Sequence, residues 1–443
     1  MNRLGWIRTA EHSLAEWNNL AALAAEVRAS GLERTLVCGM GGSSLAPHVL
    51  AASTARPRAP LHVLDSTDPA AVLAAERAGD PARTLFVIAS KSGTTVETLA
   101  FYRYFATRAR PDQFVAITDP GTPLETLARE RGFRAVVAHP ADVGGRYAAL
   151  TAVGMLPAAL LGIDGRTLLE RACALDPAPA KAFGAQLAQG VTAGRDKLAL
   201  HPPAAVATVA HWIEQLIAES TGKDGRGVVP VVDDPVSGTR PLPDTQVVTD
   251  ISGDPLDLGA EFLRWEYATW EMCERLGVNA FDQPDVDDAK RLASEELERA
   301  GSVGAQHAAP LPTLTPAQLR QQARPGDYLA ILAYLPPLPD VTAALQDVRA
   351  SWGRALDCVT TLGFGPRYLH STGQLHKGGP NTGLFLVITT DDAKDLPIPE
   401  QGLTFGALKR AQARGDIRAL LARGRRVAHV HLRSLADLRS LRV

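Results

Sequence analysis

Cysteine is scarce in this sequence of 443 residues, and its four cysteines lie far apart. Cys38, Cys173, Cys273 and Cys358 include no CxxC pair. This distribution argues against a disulfide scaffold and against a thiolate zinc site, and it is typical of proteins of a reducing cytoplasm. We therefore expect a cytoplasmic protein without a metal centre.

Long apolar runs and an excess of charge of one sign are also absent. No apolar segment reaches the roughly 20 residues that cross a bilayer, and the first residues, Met1–Trp6, lack the apolar core of a signal peptide. A formal net charge of −2 gives no indication of a nucleic-acid surface or a polybasic membrane face. Length and a hydrophobic content of 46% predict a globular protein of two or three domains.

From about residue 34 to 138, short apolar segments alternate with Ala/Leu-rich helical segments. The apolar segments are Thr35–Cys38, Leu61–Leu64, Leu85–Ala89, Phe114–Thr118 and Ala135–Ala138. This alternation predicts an α/β fold, a doubly wound parallel sheet with helices on both faces. Ligands of such sheets bind at the carboxyl ends of the strands.

The rest of the chain divides into two further α/β regions. Helices are predicted at 204–219, 257–276 and 284–300, and a proline-rich linker at 307–316. Beyond the linker, strands and helices alternate again up to strand 426–432. We predict three domains, at 1–165, 166–306 and 315–443.

Residues Ser90–Thr95 combine four hydroxyls, a lysine and a glycine between an apolar strand and a predicted helix that begins at Val96. The free N–H groups and the dipole of a helix N terminus favour an anion there. We call residues 90–95 the anion loop and predict that they bind phosphate. The alternative is a cluster that only caps the helix, since one such residue is common at a helix start.

A glycine-rich turn, Gly39–Ser44, follows the first predicted strand, and Asp65 ends the next one. The pattern is similar to a dinucleotide fingerprint, but Ser44 occupies the third glycine position. Gly42 and Ser43 are candidates for contact with a sugar or phosphate. Two alternatives are close strand–helix packing alone and a nucleotide-dependent oxidoreductase.

Two charged residues are candidates for acid–base chemistry. Arg146 follows two glycines ahead of an apolar segment, where a guanidinium can stabilise a developing oxyanion. Glu219 lies near the end of a predicted helix, whose dipole favours its protonated form and suits a general base. The alternatives are a surface ion pair for Arg146 and a solvated carboxylate for Glu219.

Two later segments carry polar candidates. Phe281–Lys290 places Gln283 in a loop and Lys290 in the following helix. Leu369–Gly379 is polar and glycine-rich, and its two histidines, six residues apart, do not fit a helical metal pair. The segment is either an isolated surface loop or the source of an acid–base histidine.

Taken in order, these motifs resemble the phosphoglucose isomerases, which are built on tandem sugar-isomerase (SIS) domains. The resemblance covers about residues 35–300, through the motifs Gly39–Pro47, Ser90–Thr98, Gly144–Tyr147, Glu219–Lys223 and Phe281–Lys290. The sequences around Glu219–Lys223 and Phe281–Lys290 are most similar to those of the branch whose isomerase part is fused to transaldolase. The resemblance implies a fold of tandem SIS-type sheets, here followed by a C-terminal α/β module. It also implies reversible isomerisation of glucose 6-phosphate and fructose 6-phosphate without a cofactor.

The resemblance also implies residue roles. Glu219 would move a proton between C1 and C2, Arg146 would stabilise the cis-enediol(ate), and Lys290 would assist ring opening. The remaining candidates would contact the substrate: Ser90, Lys91, Ser92, Thr94 and Thr95 at the phosphate, and Gly42, Ser43 and Gln283 at the sugar.

One departure concerns the ring-opening histidine, which the family carries between the glutamate motif and the Phe-Asp-Gln motif. Residues 224–280 contain no histidine, whereas Leu369–Gln374 reproduces the family pattern Leu-His-Ser-x-Gly-Gln downstream of Lys290. We predict that His370 opens the ring and that His376 and Lys377 line the same opening. Because this histidine comes from the neighbouring subunit in the family, a homodimer is implied.

A different class of protein, a non-catalytic phosphosugar-binding SIS regulator, would keep the anion loop. It would not need Glu219, Arg146, Gln283 and Lys290 together. The motifs do not decide whether mannose 6-phosphate is also a substrate.

Overall fold

The computed structural model describes residues 3–235, 242–303 and 310–443, except for the side chains of residues 287, 290 and 299–303. The strands of this part are β1 Arg34–Gly39, β2 Leu61–Leu64, β3 Thr84–Ala89, β4 Phe114–Thr118, β5 Ala135–Ala138, β6 Lys197–Leu200, β7 Val229–Val232, β8 Thr245–Val248, β9 Tyr328–Tyr334, β10 Thr360–Phe364, β11 Gly383–Thr390, β12 Pro397–Ile398, β13 Leu403–Thr404 and β14 Arg426–Leu432.

Helices connect most of these strands. They are α1 Thr9–Ala29, α2 Gly42–Ala52, α3 Pro69–Arg77, α4 Val96–Ala106, α5 Pro123–Glu130, α6 Ala152–Leu161, α7 Gly165–Cys173, α8 Pro177–Thr192, α9 Val209–Thr221, α10 Leu258–Leu276, α11 Pro284–Val303, α12 Pro316–Gln321, α13 Pro339–Leu356, α14 Gly373–Gly378 and α15 Phe405–Ala422. Among the described residues, none of these helices is long and apolar enough to cross a membrane.

The first sheet has the order β2-β1-β3-β4-β5, and all of its strands are parallel. Successive residues of β3 enter different cores: Val87 packs with α1, α2 and α6, whereas Phe86 and Ile88 pack with α3, α4 and α5. Helices therefore cover both faces. This explains why the central strands are continuous apolar runs rather than alternating ones.

The second sheet is the short parallel set β7-β6-β8, and the third is the parallel set β10-β9-β11-β14. In the third sheet, Leu332 and Val387 pack with α15, and Ile331 and Leu386 pack with α13. The predicted α/β class, with parallel sheets flanked by helices and a C-terminal α/β module, is confirmed.

A buried arginine links the second sheet to the third. Arg349 of α13 donates to the Val232 carbonyl at the end of β7 (2.7 Å), to the Asp233 carbonyl (3.0 Å) and to the Thr360 hydroxyl on β10 (2.8 Å). Val229 and Val231 of β7 also share a core with β9 and β11. The C-terminal module thus packs directly on the second sheet, while the domain boundaries stay a prediction.

Element positions agree with the sequence patterns to within a few residues, with two informative differences. The apolar segment Cys358–Leu362 predicts a strand, and β10 begins two residues later, at Thr360. The segment around His370 is a 3-10 turn, Arg367–His370, followed by the short helix α14, rather than a loop. Part of the predicted linker, residues 307–309, lies outside the described residues.

Candidate active site

The glycine turn and the anion loop start side by side at the carboxyl ends of two neighbouring strands. Gly39 at the end of β1 is in register with Ala89 at the end of β3. The chain leaves β1 for β2 on one side and returns to β3 on the other. This is the switch point at which parallel α/β sheets bind their ligands.

Hydroxyl pairs shape the anion loop. The Ser90 hydroxyl lies 2.9 Å from the Thr95 hydroxyl, and the Ser92 hydroxyl lies 2.9 Å from that of Thr94. Thr95 is the N-cap residue of α4, yet its side chain makes no capping hydrogen bond. The helix-capping alternative therefore does not describe Thr95. Gly93 has a φ of +68°, a conformation that favours glycine at this turn.

Lys91 of the anion loop is engaged by a neighbouring carboxylate. Its ammonium lies 2.5 Å from Asp119 and 3.1 Å from the Ala141 carbonyl, and Asp119 in turn lies 2.8 Å from His139 Nδ1. Burial raises the pKa of Asp119, but hydrogen bonds from His139 and Lys91 outweigh it and hold that pKa below its ordinary value. Lys91 thus ties the loop to the turn after β4.

Close backbone packing joins the glycine turn to two other motifs. A Cβ at Gly42 would overlap the carbonyl of Gly145, so the turn rests directly on the residue before Arg146. A Cβ at Gly41, whose φ is +55°, would lie 2.5 Å from the His370 carbonyl. Ser43 is half-buried in the first turn of α2. The packing alternative therefore holds for Gly42, whose predicted sugar contact stays a prediction.

A buried ion pair lies beside this turn. Arg146 Nη1 is 3.0 Å from Glu219 Oε1, and their side chains are 4% and 13% exposed. The same nitrogen donates to Gln283 Oε1 (2.8 Å), and Nη2 donates to the carbonyls of Ala280 (2.7 Å) and Asp282 (2.9 Å). The arginine therefore fixes the carboxylate and the Gln283 loop together. It is not a surface ion-pair residue.

Lys223 holds the same loop from the other side. Its ammonium lies 2.9 Å from Asp282 and donates to the Asn279 carbonyl. Burial and the neighbouring Arg146 lower the pKa of Lys223. Lys223 and Arg146 therefore bond the loop before α11 to the end of α9 from two sides.

Gln215 connects Glu219 to the C-terminal module. It lies one turn before Glu219 on α9, and its Nε2 donates to Glu219 Oε2 (3.1 Å) and to the His370 carbonyl (2.8 Å). Its Oε1 is buried without a hydrogen-bond partner. We call Arg146, Gln215, Glu219 and His370 the acid–base centre.

The His370 ring reaches the helix that follows the anion loop. Its Nε2 lies 3.0 Å from Glu97 Oε1 in the first turn of α4. Gln374 of the same motif donates to the Gly222 carbonyl (2.9 Å) and to Asp285 (2.7 Å), and accepts from the Asp285 N–H (3.0 Å). These bonds hold the downstream histidine motif against the glutamate motif and the start of α11 within one chain.

Three predictions have different outcomes here. Lys290 belongs to α11, but its side chain lies outside the described residues. The prediction that His376 and Lys377 line the opening is wrong, because both side chains are buried. Lys377 lies 2.5 Å from Asp416, and burial, followed by Lys377 and Arg425, lowers the pKa of His376 well below its ordinary value.

Asp65 was the residue that suggested a dinucleotide site. Its carboxylate lies 2.7 Å from Arg367 Nε, with side chains 10% and 25% exposed. A ribose-binding carboxylate needs to be free to accept sugar hydroxyls. The pairing with Arg367 therefore speaks against the nucleotide-dependent alternative.

Sequence patterns did not single out Gln215, Glu97 or Gln374. Gln215 had a usable signal, since a residue four positions before Glu219 shares its helix face. Glu97 also had one, because it lies two residues beyond the anion loop. Gln374 was part of the histidine motif, but nothing local indicated its partners at Gly222 and Asp285.

Fold and site together define an α/β protein of parallel sheets flanked by helices, with a hydroxyl-rich loop and a buried arginine–glutamate pair at the carboxyl ends of its strands. Residues 26–183 match the family model described as phosphoglucose isomerase. The structure is similar to that of a glucose-6-phosphate isomerase from Chlamydia trachomatis, with a TM-score of 0.55 and 20% identity over 67% of this chain and 75% of that one. At this identity the likeness shows the fold alone.

Curated relatives extend the match at the level of sequence. The chain is 36% identical over 211 residues to a glucose-6-phosphate isomerase of Synechococcus, covering 42% of this chain and 39% of the relative. It is 38% identical over 146 residues to a glucose-6-phosphate isomerase of Thermus thermophilus, covering 31% and 35%. The chain thus spans less than half the length of these relatives. The matches relate its N-terminal part to phosphoglucose isomerases.

Proposed function

We propose that this protein reversibly isomerises glucose 6-phosphate and fructose 6-phosphate. The observation that carries the proposal is the convergence, within one chain, of Arg146, Glu219 and His370 beside a hydroxyl-rich loop. An aldose–ketose isomerase needs an anion site, a ring opener, a carboxylate base and a cation for the oxyanion. The proposed reaction requires no metal or redox cofactor.

The anion loop is the proposed phosphate site. Its paired hydroxyls can turn from each other to an anion, and the N terminus of α4 adds N–H groups and a favourable dipole. Ser90, Ser92, Thr94 and Thr95 would donate to phosphate oxygens. Because Asp119 and Ala141 engage the Lys91 ammonium, Lys91 would act by holding the loop and by its charge.

His370 is the proposed ring opener, with Lys290 assisting. The proton of the anomeric hydroxyl leaves as the C1–O5 bond breaks, and O5 receives a proton. The product is the open-chain aldehyde with a free hydroxyl at C5. Because Glu97 lies at Nε2, the other ring nitrogen, Nδ1, would exchange protons with the substrate.

Glu219 is the proposed base. It removes the proton from C2 of the aldose, and the electron pair forms the C1–C2 double bond of a cis-enediolate whose negative oxygen faces Arg146. The hydroxyl proton of O2 passes to the negative O1, and Glu219 returns the carbon-bound proton to C1 as the C2–O2 bond becomes a carbonyl, so that C2 is oxidised and C1 is reduced without an external acceptor. Arg146 and Gln215 hold both carboxylate oxygens, which orients the base.

We further infer that the protein belongs to the branch related to transaldolase fusions, as the wording of the Glu219 and Gln283 motifs indicates, and acts in the cytoplasm as a homodimer. His370 is supplied by the same chain that supplies Glu219, so catalysis need not depend on a partner subunit. The branch is inferred from the motif sequences and the compartment from composition. The homodimer is inferred from the family resemblance alone, because a single chain brings His370 and Glu219 to one centre.

A coupled assay of fructose 6-phosphate conversion tests the proposal. We expect turnover by the purified wild-type chain, with NADP reduction by an added glucose-6-phosphate dehydrogenase as the readout. Mannose 6-phosphate would be assayed alongside, because discrimination at C2 depends on placement finer than motif spacing. Phosphosugar binding without turnover would contradict isomerisation and favour the regulator class. Binding of NAD by the chain itself would favour the oxidoreductase.

A further inference from the structure

We infer that Gln412, in the C-terminal module, is a positioning residue that sets the hydrogen-bonding state of the Glu97–His370 pair. The inference rests on the proposed function, since it concerns the histidine assigned to ring opening. Gln412 lies more than 300 residues from Glu97 in the chain and is 5% exposed.

The side-chain amide of Gln412 bridges two elements of the first domain. Its Nε2 donates to Glu97 Oε1 at 2.7 Å, and its Oε1 accepts from the Thr67 hydroxyl at 2.8 Å. Reversing the amide would place its oxygen against the Glu97 carboxyl. Both oxygens are acceptors, so this contact would be repulsive. The amide orientation is therefore fixed by its partners.

A single carboxylate oxygen of Glu97 contacts both Gln412 and His370. Glu97 Oε1 is 2.7 Å from Gln412 Nε2 and 3.0 Å from His370 Nε2. The amide N–H can only donate, so Oε1 acts as an acceptor and the imidazole must present N–H from Nε2. This leaves Nδ1 as the nitrogen that can accept a proton. Gln412 thereby keeps Oε1 in place as an acceptor and stabilises this histidine tautomer without contacting the substrate.

Contacts on both sides of Gln412 hold helix α15 in the position that brings its amide to Glu97. Three residues before Gln412, Lys409 makes a buried ion pair with Asp68 at 2.8 Å, and Asp68 is next to Thr67. Tyr334 donates from β9 to the Gln412 carbonyl at 3.4 Å. Contacts to β9 and to the segment after β2 therefore fix the part of α15 that carries Gln412.

Two substitutions separate the donor from the bulk of the side chain. Gln412→Glu keeps size and an acceptor for Thr67 but replaces the donor to Glu97 by a carboxyl. Gln412→Met keeps bulk and removes both bonds. Two carboxylates in contact repel each other, so Gln412→Glu should displace Glu97 from His370 and release the ring to a mixture of both tautomers. Gln412→Met should weaken the preference for Nε2–H.

The direct measurement is NMR of histidine ring nitrogens in the full-length, ¹⁵N-histidine-labelled chain, with the His370 signals identified by their loss in His370→Gln. We expect Nε2–H in the wild type, a mixture of both tautomers in Gln412→Glu and a weaker preference for Nε2–H in Gln412→Met. An unchanged tautomer preference in both variants would overturn the inference. Because this readout needs no substrate, it is separate from failure of the proposed isomerase activity.

Activity gives the second readout. Loss of a hydrogen bond to a charged group should lower kcat of Gln412→Met roughly tenfold, with KM within about twofold because the phosphate site is untouched. Gln412→Glu should regain activity as the pH falls, because its protonated carboxyl can again donate to Glu97. A loss without pH-dependent recovery would indicate a merely structural role and contradict the inference.

Thr67→Val is the milder companion variant, for use where Gln412 variants fold poorly. It removes the hydroxyl that bonds the amide oxygen and leaves the bond to Glu97 in place. We expect a smaller loss of kcat with the same tautomer preference. A larger loss than in Gln412→Met would place the function in Thr67 and overturn the assignment to Gln412.

Discussion

The anion loop and the acid–base centre lie at the same sheet edge but are built differently. The loop uses neutral hydroxyls that bond one another, and Ser92 and Thr94 are exposed. The centre uses a buried ion pair whose arginine is 4% exposed and bonds two further carbonyls. Neutral hydroxyls exchange partners at little cost, whereas breaking a buried ion pair leaves an uncompensated charge.

The difference predicts a division of labour. The loop can reorganise around a phosphate, so single changes there should weaken binding by a limited amount. The centre is preorganised and cannot adjust, so single changes there should stop the chemical step. Substitutions in the anion loop and in the acid–base centre test this division between binding and chemistry.

Glu219→Gln should have the largest effect. The amide keeps the size of the side chain but cannot take up the C2 proton, so we expect kcat to fall roughly a thousandfold, with phosphosugar binding by calorimetry nearly unchanged. Glu274→Gln, the same substitution at an exposed carboxylate of α10, is the matched control and should stay within about twofold of wild type. Activity within tenfold of wild type in Glu219→Gln would refute the base assignment.

His370→Ala should be next, with kcat reduced roughly a hundredfold in the coupled assay. His12→Ala, an exposed histidine on α1, serves as the control. Turnover unaffected by His370→Ala would keep the isomerase and discard this role for the histidine.

Mixing the two inactive variants asks which chain supplies the histidine. Because one chain brings His370 to Gln215 and Glu97, a mixture of Glu219→Gln and His370→Ala should stay as inactive as its components. Recovery of a substantial fraction of wild-type activity would mean that the histidine acts on a neighbouring subunit's site.

The sequence was most informative where chemistry is local. Apolar runs such as Leu85–Ala89 located the central strands, since a strand buried on both faces must be apolar at every position. The anion loop and Arg146 were visible because their glycines and hydroxyls are adjacent in the chain. Order among such local motifs was enough to suggest a class of protein.

The remainder of the site depends on packing between distant segments. Gln412 reaches Glu97 across more than 300 residues, and Arg349 joins two sheets through backbone carbonyls. His376 and Lys377 looked like polar loop residues but are buried, Lys377 beside Asp416 and His376 packed near Tyr328 and Phe385. No local pattern distinguishes a buried, paired lysine from an exposed one.

At the loop, Ser90→Ala and Thr95→Val should each raise KM roughly tenfold, the cost of one hydrogen bond to a charged group, with kcat within about threefold. Removing either hydroxyl also breaks the 2.9 Å contact between them. Thr107→Val, at the other end of α4, is the control. A fall in kcat without a change in KM would contradict the division between binding and chemistry.

Asp119→Asn should have the smallest effect, seen mainly in stability. The folded-state pKa of Asp119 lies below its ordinary value, so its stabilising contribution is present above the ordinary pKa of about 3.9 and is lost as the pH falls through the lowered value. The variant should therefore melt about 1–2 °C below wild type at neutral pH, and the gap should close in acid. A gap that persists below both pKa values would mean that Asp119 acts through shape rather than charge, and Lys91 would then hold the anion loop mainly through the Ala141 carbonyl.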